Sequence, residues 1–381
     1  MLRRSAAALL ALLLLPIGPG AVVAADPSGA PDAPAPWVLD SDLGVDDAIA
    51  GVLLLRDPAV RLVAITANAS GLGTCAGATE AIRLLVETVG GDPAVPVGCS
   101  RAFPLDGYAA FPESWRLAAA AIVTGALAEV AGVAPAGGAE WTQPDGARVL
   151  AEALAASPQP VSILALGPLT TIATVLDASP ELIGKVARIV VMGGALDVPG
   201  NIRVPGFTDA MANTRAEWNV FVDPVAFDVV LASGIPFTLV PLDATNTMLL
   251  RDRFTDALAA RVADGSPAAA LVAAMLGRID YASYGEYYHW DPFAALVATD
   301  RVACRMEPRT IRVRAETGGE ILRYGIDPDD FPWTGWQGAP RANIDAATAG
   351  VLEDDPAGRP VSVCMESSLE AFEQAALDLL R

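Results

Sequence analysis

Short apolar runs that alternate with longer helical patterns constrain the fold of this chain most strongly. The runs are 37–40, 60–66, 160–166, 187–192 and 236–241, and most lack the polar alternation of a half-exposed strand. Helical patterns occupy 46–56, 76–89, 145–156, 169–178, 224–233, 252–264, 267–285 and 291–298. Apolar strands separated by helices indicate an α/β fold with a mostly parallel, open, Rossmann-like sheet wrapped by helices.

The two ends of the chain have different predicted roles. Two arginines precede an apolar run at 6–15, and small residues at 23–25 offer a cleavage site, so 1–25 is typical of a secretory signal peptide. We therefore expect a secreted or periplasmic protein, with a Pro-rich linker over 26–36. Residues 37–381 are predicted to form one catalytic domain. Its end, with "TIRVRAE", "PVSVCMES" and a helix over 367–380, predicts a small peripheral β/α region.

Charge narrows the class of partner. The formal net charge is −20. An acidic surface repels phosphates, which argues against nucleic acid or an anionic membrane as partner.

The four cysteines allow two disulfides in an oxidising compartment. Four cysteines have three connectivities. We expect Cys75–Cys99 and Cys304–Cys364, which pair neighbours within each half of the chain.

The segment "VLDSDLGVDDAIA" at 38–50 concentrates carboxylates between a predicted strand and a predicted helix. An N-cap and first-turn acids explain one or two aspartates, but the segment holds four: Asp40, Asp42, Asp46 and Asp47. They repel one another unless a cation lies among them. An oxygen-only cluster without nearby His or Cys favours a hard cation, Ca²⁺ or Mg²⁺.

Other segments must complete such a site, because Ca²⁺ accepts six to eight oxygens. Asp291 opens a predicted helix in "HWDPFAAL", and Asn68 follows the second predicted strand. In an open parallel sheet, ligands bind beyond the carboxyl ends of the strands. A cation that activates water beside a spare carboxylate indicates a metal-assisted hydrolase of a small polar substrate.

Five segments resemble, in the same order, motifs of the nucleoside hydrolases, which are Ca²⁺ enzymes that cleave the N-glycosidic bond of ribonucleosides. The segments are "DSDLGVDDA" at 40–48, "ALGPLTTIA" at 165–173, "MGGALDVPGN" at 192–201, "AEWNVFVDP" at 216–224 and "HWDPFAA" at 289–295. The resemblance covers roughly residues 37–300 and implies an α/β enzyme that takes a small nucleoside substrate.

The resemblance implies a set of Ca²⁺ ligands. They are Asp42, Asp47 through both oxygens, Asp291, and the backbone carbonyl of Leu166, where many relatives have Thr. Asp42 would also act as general base on the attacking water. Leu43 stands where Pro is common in the family.

The resemblance also implies how ribose is held. Asp46 matches the carboxylate that accepts the 2′-hydroxyl, and Asn219 with Asp291 matches the grip on the 2′- and 3′-hydroxyls. Asn68 matches a further active-site asparagine.

The 5′-hydroxyl contacts match Asn201 and Glu217. Asn213 competes with Asn201 for this role, because the loop 201–213 looks longer than in relatives.

Three tryptophans make the chain similar to the purine-preferring branch of the family. Trp290 stands where other branches have a histidine that helps the base depart, and Trp115 and Trp218 accompany it. In the purine branch, tryptophans stack on the purine, and protonation of the ring replaces a protein acid. His289, one residue earlier than the family acid, is expected to point elsewhere.

Two alternatives remain open at this stage. Trp290 could be permissive, so that the chain cleaves pyrimidine or other N-ribosides. The chain could also be a nucleoside-binding protein that keeps Ca²⁺ without turnover. Relatives tend to form dimers or tetramers, so we expect a homo-oligomer.

Overall fold

A mostly parallel sheet forms the centre of the computed structural model, which describes residues 33–100, 104–105, 111, 113–136, 144–204, 212–315 and 347–381. Within these residues the sheet has nine strands in the order β3-β2-β1-β4-β5-β6-β9-β7-β8. The strands are β1 (Ala35–Ser41), β2 (Val60–Asn68), β3 (Val97–Ser100), β4 (Val161–Ala165), β5 (Val186–Met192), β6 (Phe237–Val240), β7 (Arg305–Val313), β8 (Leu352–Asp354) and β9 (Arg359–Glu366). The strands from β3 to β9 in this order pair in parallel, and β7 pairs antiparallel with β9 and β8.

Helices connect the strands and cover both faces of the sheet. They are α1 (Val45–Arg56), α2 (Ala78–Thr88), α3 (Glu113–Ala131), α4 (Gly146–Ala156), α5 (Thr170–Ala178), α6 (Trp218–Val222), α7 (Pro224–Ala232), α8 (Leu242–Thr245), α9 (Asp252–Ala263), α10 (Pro267–Leu276), α11 (Tyr281–Tyr284), α12 (Trp290–Ala298) and α13 (Leu369–Leu379). No helix in the described ranges is both long and apolar enough to cross a membrane.

The core consists of two apolar layers, one on each face of the sheet. Side chains alternate between the faces along a strand, so in β4 Ile163 joins one layer and Leu164 the other, and both are fully buried. Burial of such a side chain stabilises the fold by roughly 1.5–3 kcal/mol. The predicted strands lack polar alternation because both of their faces are buried.

The predicted α/β class and the mostly parallel sheet are confirmed, with differences in detail. The helix predicted over 267–285 is wrong in length, because α10 ends at Leu276 with Gly277 as its C-cap, and α11 begins only at Tyr281. The strand β1 begins at Ala35, inside the predicted linker. Residues 1–32, and with them the predicted signal peptide, lie outside the described residues.

Both predicted disulfides are present. Cys75–Cys99 ties the segment after β2 to β3, and Cys304–Cys364 ties β9 to the residue before β7. Each bond joins chain segments that already lie close within the sheet region.

Strand order determines where a ligand can bind. The order β3-β2-β1-β4-β5-β6 changes direction between β1 and β4, which leaves a crevice at their carboxyl ends. Ser41 ends β1 and Ala165 ends β4. Leu166 N donates to Asp40 O at 2.9 Å, which holds these two ends together.

Candidate active site

The loop between β1 and α1 is folded around the carboxylate of Asp47. Its Oδ1 accepts hydrogen bonds from Ser41 Oγ at 2.8 Å and from Asp42 N at 3.0 Å. Its Oδ2 accepts from Gly44 N, the residue before the helix, at 3.0 Å, as an acid in a capping box does. Leu43 has φ = 67°, a conformation that proline cannot adopt. A proline at this position would therefore require a different backbone conformation of the loop.

A second loop, residues 69–73 after β2, fixes the side chain of Asp42. Leu72 N donates to Asp42 Oδ2 at 2.8 Å. A Cβ on Gly71 would lie 2.1 Å from Asp42 Oδ2, and a Cβ on Gly167 would lie 2.5 Å from Asp42 Cβ. Only glycine fits at these two positions, so backbone surrounds Asp42 closely on both sides.

Arg116, on α3, anchors the loop 69–73. Its Nη1 donates to Gly71 O at 2.9 Å, and its Nη2 donates to Gly73 O at 2.6 Å and to Ala69 O at 3.3 Å. The side chain is buried. Arg116 therefore holds the backbone that in turn holds Asp42.

Four carboxylates converge where these loops meet the start of α12. Oxygens of Asp46, Asp47 and Asp291 all lie within 4.8 Å of one another. Burial and repulsion from Asp47 raise the pKa of Asp42 well above its usual range, and they raise that of Asp46 to about 7. Burial, and then repulsion from Asp46 and Asp47, likewise raises the pKa of Asp291.

This donor set fits a hard divalent cation. Among the described residues that line the pocket, none is Lys, Arg or His, so no side chain there neutralises the carboxylates. Leu166 adds a backbone carbonyl that accepts from Asn219 Nδ2 at 2.8 Å and has a second lone pair for another partner. Carboxylate and carbonyl oxygens are the ligands that Ca²⁺ takes in proteins.

The tightest group of oxygens differs from the predicted ligand set. It includes Asp46, which was predicted to bind ribose, beside Asp47 and Asp291. Asp42 borders the group through its contact with Asp47. The roles of Asp42 and Asp46 therefore stay predictions.

Asp40 lies beneath the cluster at the end of β1. It is fully buried, its Oδ1 accepts from Thr66 Oγ1 at 2.6 Å, and its Oδ2 has no partner among the described residues. Burial raises its pKa to about 7.

The predicted ribose contacts lie along one wall of the same pocket. Glu217 is the N-cap of α6 and accepts from Asn219 N at 2.9 Å and from Gly194 N at 2.9 Å. Burial raises its pKa. Asn201 Oδ1 accepts from Trp218 N at 3.1 Å. Glu217, Asn201 and Asn219 all line the pocket.

Two asparagines lie outside the pocket wall. Asn213 donates to Ala349 O and accepts from Ala216 N, so of the two candidates for the 5′-hydroxyl the structure brings Asn201 to the site. Asn68 is fully buried and its side chain bonds Pro168 O and Ser70. The predicted substrate contact of Asn68 stays a prediction, whereas its structural role is clear.

Aromatic rings also line this cavity, which has a volume of about 370 Å³. Trp218 stacks on Phe111 with ring centroids 4.6 Å apart and meets Trp115 edge-on at 5.6 Å. Trp290, the first residue of α12, lines the same cavity. Its Nε1 donates to Asn246 Oδ1 at 3.0 Å. All three predicted tryptophans are therefore brought together.

His289 points away from this cavity. Its ring packs against Phe254 at 4.9 Å and Phe372 at 5.0 Å, and neither ring nitrogen has a hydrogen-bond partner in the described part of the chain. Burial lowers its pKa to about 3, so the ring is neutral.

Sequence reasoning missed three contributors to the site. Leu72 acts through its backbone N–H, and the Arg116 side chain binds backbone carbonyls, so neither contact follows a recognisable pattern of residue types. Tyr287, which also lines the cavity, stands in "GEYYHWDP", and its closeness to the predicted ligand Asp291 was the available signal.

A Rossmann-ordered sheet with buried carboxylates at its switch point and an aromatic-walled cavity defines an α/β enzyme of the nucleoside hydrolase type. The sequence pattern of the inosine-uridine preferring nucleoside hydrolases matches residues 37–357. This chain belongs to that family.

Two known proteins of similar sequence are both named pyrimidine-specific ribonucleoside hydrolases. A pyrimidine-specific ribonucleoside hydrolase from Shewanella sp. (strain ANA-3) is 34% identical over 257 residues, which is 68% of this chain and 71% of that protein. One from Salmonella arizonae is 34% identical over 245 residues, 63% of this chain and 70% of that protein.

Solved structures share the fold. An inosine-uridine preferring nucleoside hydrolase from Bacillus anthracis has a TM-score of 0.70 at 23% identity, covering 91% of this chain and 99% of its own. A purine-preferring ribonucleoside hydrolase from Gardnerella vaginalis has a TM-score of 0.64 at 21% identity, with the same coverage.

Proposed function

We propose that this protein hydrolyses purine ribonucleosides to free base and ribose, with Ca²⁺ as cofactor. The observation that carries the proposal is one cavity lined both by buried carboxylates and by tryptophans. Asp42, Asp47, Asp291 and the Leu166 carbonyl would hold the cation. When bound, Ca²⁺ lowers the pKa of a coordinated water and offsets the charge of the cluster.

Asp42 is the proposed general base. Leu72 N fixes its carboxylate, and Asp42 takes a proton from the attacking water. The water oxygen bonds to C1′ while the C1′–N bond breaks. The electron pair of that bond goes to the base, which takes up a proton, so the products are ribose and neutral base.

The remaining polar side chains would bind ribose. Asp46 accepts the 2′-hydroxyl, Asn219 and Asp291 hold the 2′- and 3′-hydroxyls, and Glu217 with Asn201 holds the 5′-hydroxyl. Positive charge develops on the sugar as the bond breaks. Buried carboxylates around the sugar stabilise this charge more than they stabilise the neutral substrate.

The tryptophans that line the cavity support purine as the leaving base. The tryptophans offer stacking surfaces, and His289, the sole histidine of the chain, lies in the apolar core instead. Stacking on an indole favours a cationic ring, which suits a purine that is protonated at N7.

Pyrimidine nucleosides are the second candidate substrates, because the similar proteins from Shewanella and Salmonella are named pyrimidine-specific. A binding protein without turnover is disfavoured by the presence of every expected carboxylate. These three candidate functions can be distinguished by measuring the release of ribose from inosine, adenosine, guanosine, uridine and cytidine. We expect kcat/KM for inosine to exceed that for uridine by about tenfold or more. Faster release from uridine would support the pyrimidine candidate, and no release from any nucleoside would leave only binding.

We also propose that the protein acts outside the cytoplasm on extracellular nucleosides. The predicted signal peptide suggests this location, and the two disulfides support an oxidising compartment. The expected dimer or tetramer stays a prediction.

A further inference from the structure

Tyr287 places an unused hydroxyl in the substrate cavity. The residue lines the cavity, and its Oη is buried without a hydrogen-bond partner among the described residues. A buried hydroxyl without a partner is unfavourable, because it has lost its hydrogen bonds to water. This cost indicates that the group meets a ligand when the cavity is filled.

The backbone holds Tyr287 in place. Leu250 N donates to Tyr287 O at 2.9 Å, and His289 N donates to Met248 O at 2.8 Å. These two bonds attach the segment on both sides of Tyr287 to residues 248–250. The hydroxyl is therefore fixed in position before substrate binds.

Tyr287 lies where the carboxylates meet the aromatic wall. Its ring meets Trp290 edge-on, with centroids 6.1 Å apart. Burial, and then the charges of Asp46 and Asp291, raises the pKa of its phenol well above the usual range. The protonated phenol can donate a hydrogen bond toward an acceptor on the ligand.

Two other donors at this end of the cavity are already committed. Trp290 Nε1 donates to Asn246 Oδ1 at 3.0 Å, and Tyr288 Oη donates to Glu286 Oε2 at 2.7 Å. The neighbouring carboxylates accept hydrogen bonds when ionised. Of these three neighbouring donors, the Tyr287 hydroxyl is the one without a hydrogen-bond partner among the described residues.

We propose that Tyr287 is a base-binding residue whose hydroxyl donates to the base acceptor beside the ribose, N3 of a purine or O2 of a pyrimidine. The proposal rests on the proposed function, in which Asp46 binds the 2′-hydroxyl. In an anti nucleoside, N3 or O2 is the ring acceptor on the side of the 2′-hydroxyl. Negative charge develops on this acceptor as the base leaves, so the hydrogen bond strengthens in the transition state. The phenol forms no covalent bond and transfers no proton.

The test combines Tyr287→Phe with 3-deazaadenosine, in which carbon replaces N3. Phe keeps the ring and its packing. We expect Tyr287→Phe to lower kcat/KM for adenosine by about 10- to 100-fold, and to change kcat/KM for 3-deazaadenosine by less than about threefold. Tyr281→Phe is the matched control, because Tyr281 Oη donates to Leu276 O in the same segment. We expect this control to leave kcat/KM unchanged for both substrates.

An equal loss for both substrates, or no loss for adenosine, would overturn the proposal. If the wild type cleaves only pyrimidine nucleosides, uridine and 2-thiouridine give the same comparison, because sulfur is a weak acceptor at position 2. A wild type that cleaves no nucleoside would overturn the proposed function itself, which is a different outcome.

Discussion

Trp290 and His289 are adjacent in the chain, yet their side chains meet different surroundings. His289 is the N-cap of α12 and Trp290 is its first residue, and their side chains point in different directions: Trp290 lines the cavity, while His289 enters the aromatic core. The proposed chemistry of the leaving base depends on this difference, because a buried neutral imidazole outside the cavity cannot protonate a base.

The matched substitutions His289→Leu and Trp290→Leu test this assignment. We expect His289→Leu to keep kcat for inosine within about threefold, since a volume-conserving change in the core is tolerated. Trp290→Leu should lower kcat/KM for inosine by about tenfold or more through lost stacking. Ribose release measures both, and a loss of 100-fold or more in His289→Leu would contradict the account by making His289 a proton donor.

The acidic cluster could be predicted from residue type alone, because four aspartates so close in sequence have few structural explanations. Tyr287 could not be found in the same way. Tyrosine serves packing as often as binding, and only the position of its hydroxyl in the folded chain separates these roles.

At the scale of elements, the loop 69–73 connects α3 to the proposed general base. Arg116 donates to three carbonyls of this loop, and Leu72 of the same loop donates to Asp42. The contacts form a continuous chain from a helix to the carboxylate of Asp42, the proposed general base. Arg116 is therefore a positioning residue.

Arg116→Met removes these hydrogen bonds and keeps an apolar side chain. We expect kcat for inosine to fall about 100-fold, because small displacements of a reacting group are that costly, while KM changes only a few-fold since the ribose contacts lie elsewhere. Arg148→Met, which removes an exposed pair with Glu152 on α4, should leave both constants unchanged. A higher KM with unchanged kcat would contradict a positioning role.

Element prediction succeeded where the pattern was strong and failed where it was short. The buried strands β1, β2, β4, β5 and β6 were predicted because apolar runs are distinctive. β3 has four residues, "VGCS", and α3 has apolar residues around most of its circumference, so neither has a clear period. The helix α10 ends after Leu276 with only a glycine cap, and the helical sequence pattern continues past this point, so the end of the helix was not predicted.

At the scale of the whole molecule, the fold concentrates buried acids at one edge of the sheet. The mostly parallel sheet was predicted from the sequence, and so was the edge of the sheet at which the site lies. The choice between Asn201 and Asn213, and the use of Asn68 inside the fold, depended on contacts between distant segments. These contacts are not visible in local sequence.

The cluster of buried carboxyl groups makes the free energy of unfolding depend on pH when no cation is bound. The pKa of Asp40 and of Asp46 is about 7 in the folded chain, against an ordinary 3.8. The folded state therefore binds more protons than the unfolded state between about pH 4 and pH 7. The free energy of unfolding of the cation-free protein must fall as pH rises through this range.

Thermal unfolding of the chelated protein at pH 5 and pH 8, with and without Ca²⁺, tests most directly whether this cluster is a cation site. We predict that the chelated protein has its lower Tm at pH 8. Saturating Ca²⁺ should restore about 5 °C or more at pH 8, and less at pH 5 where protons compete. Asp291→Asn should lose most of this gain. An unchanged Tm on adding Ca²⁺ at pH 8, or an equal gain in Asp291→Asn, would contradict the account.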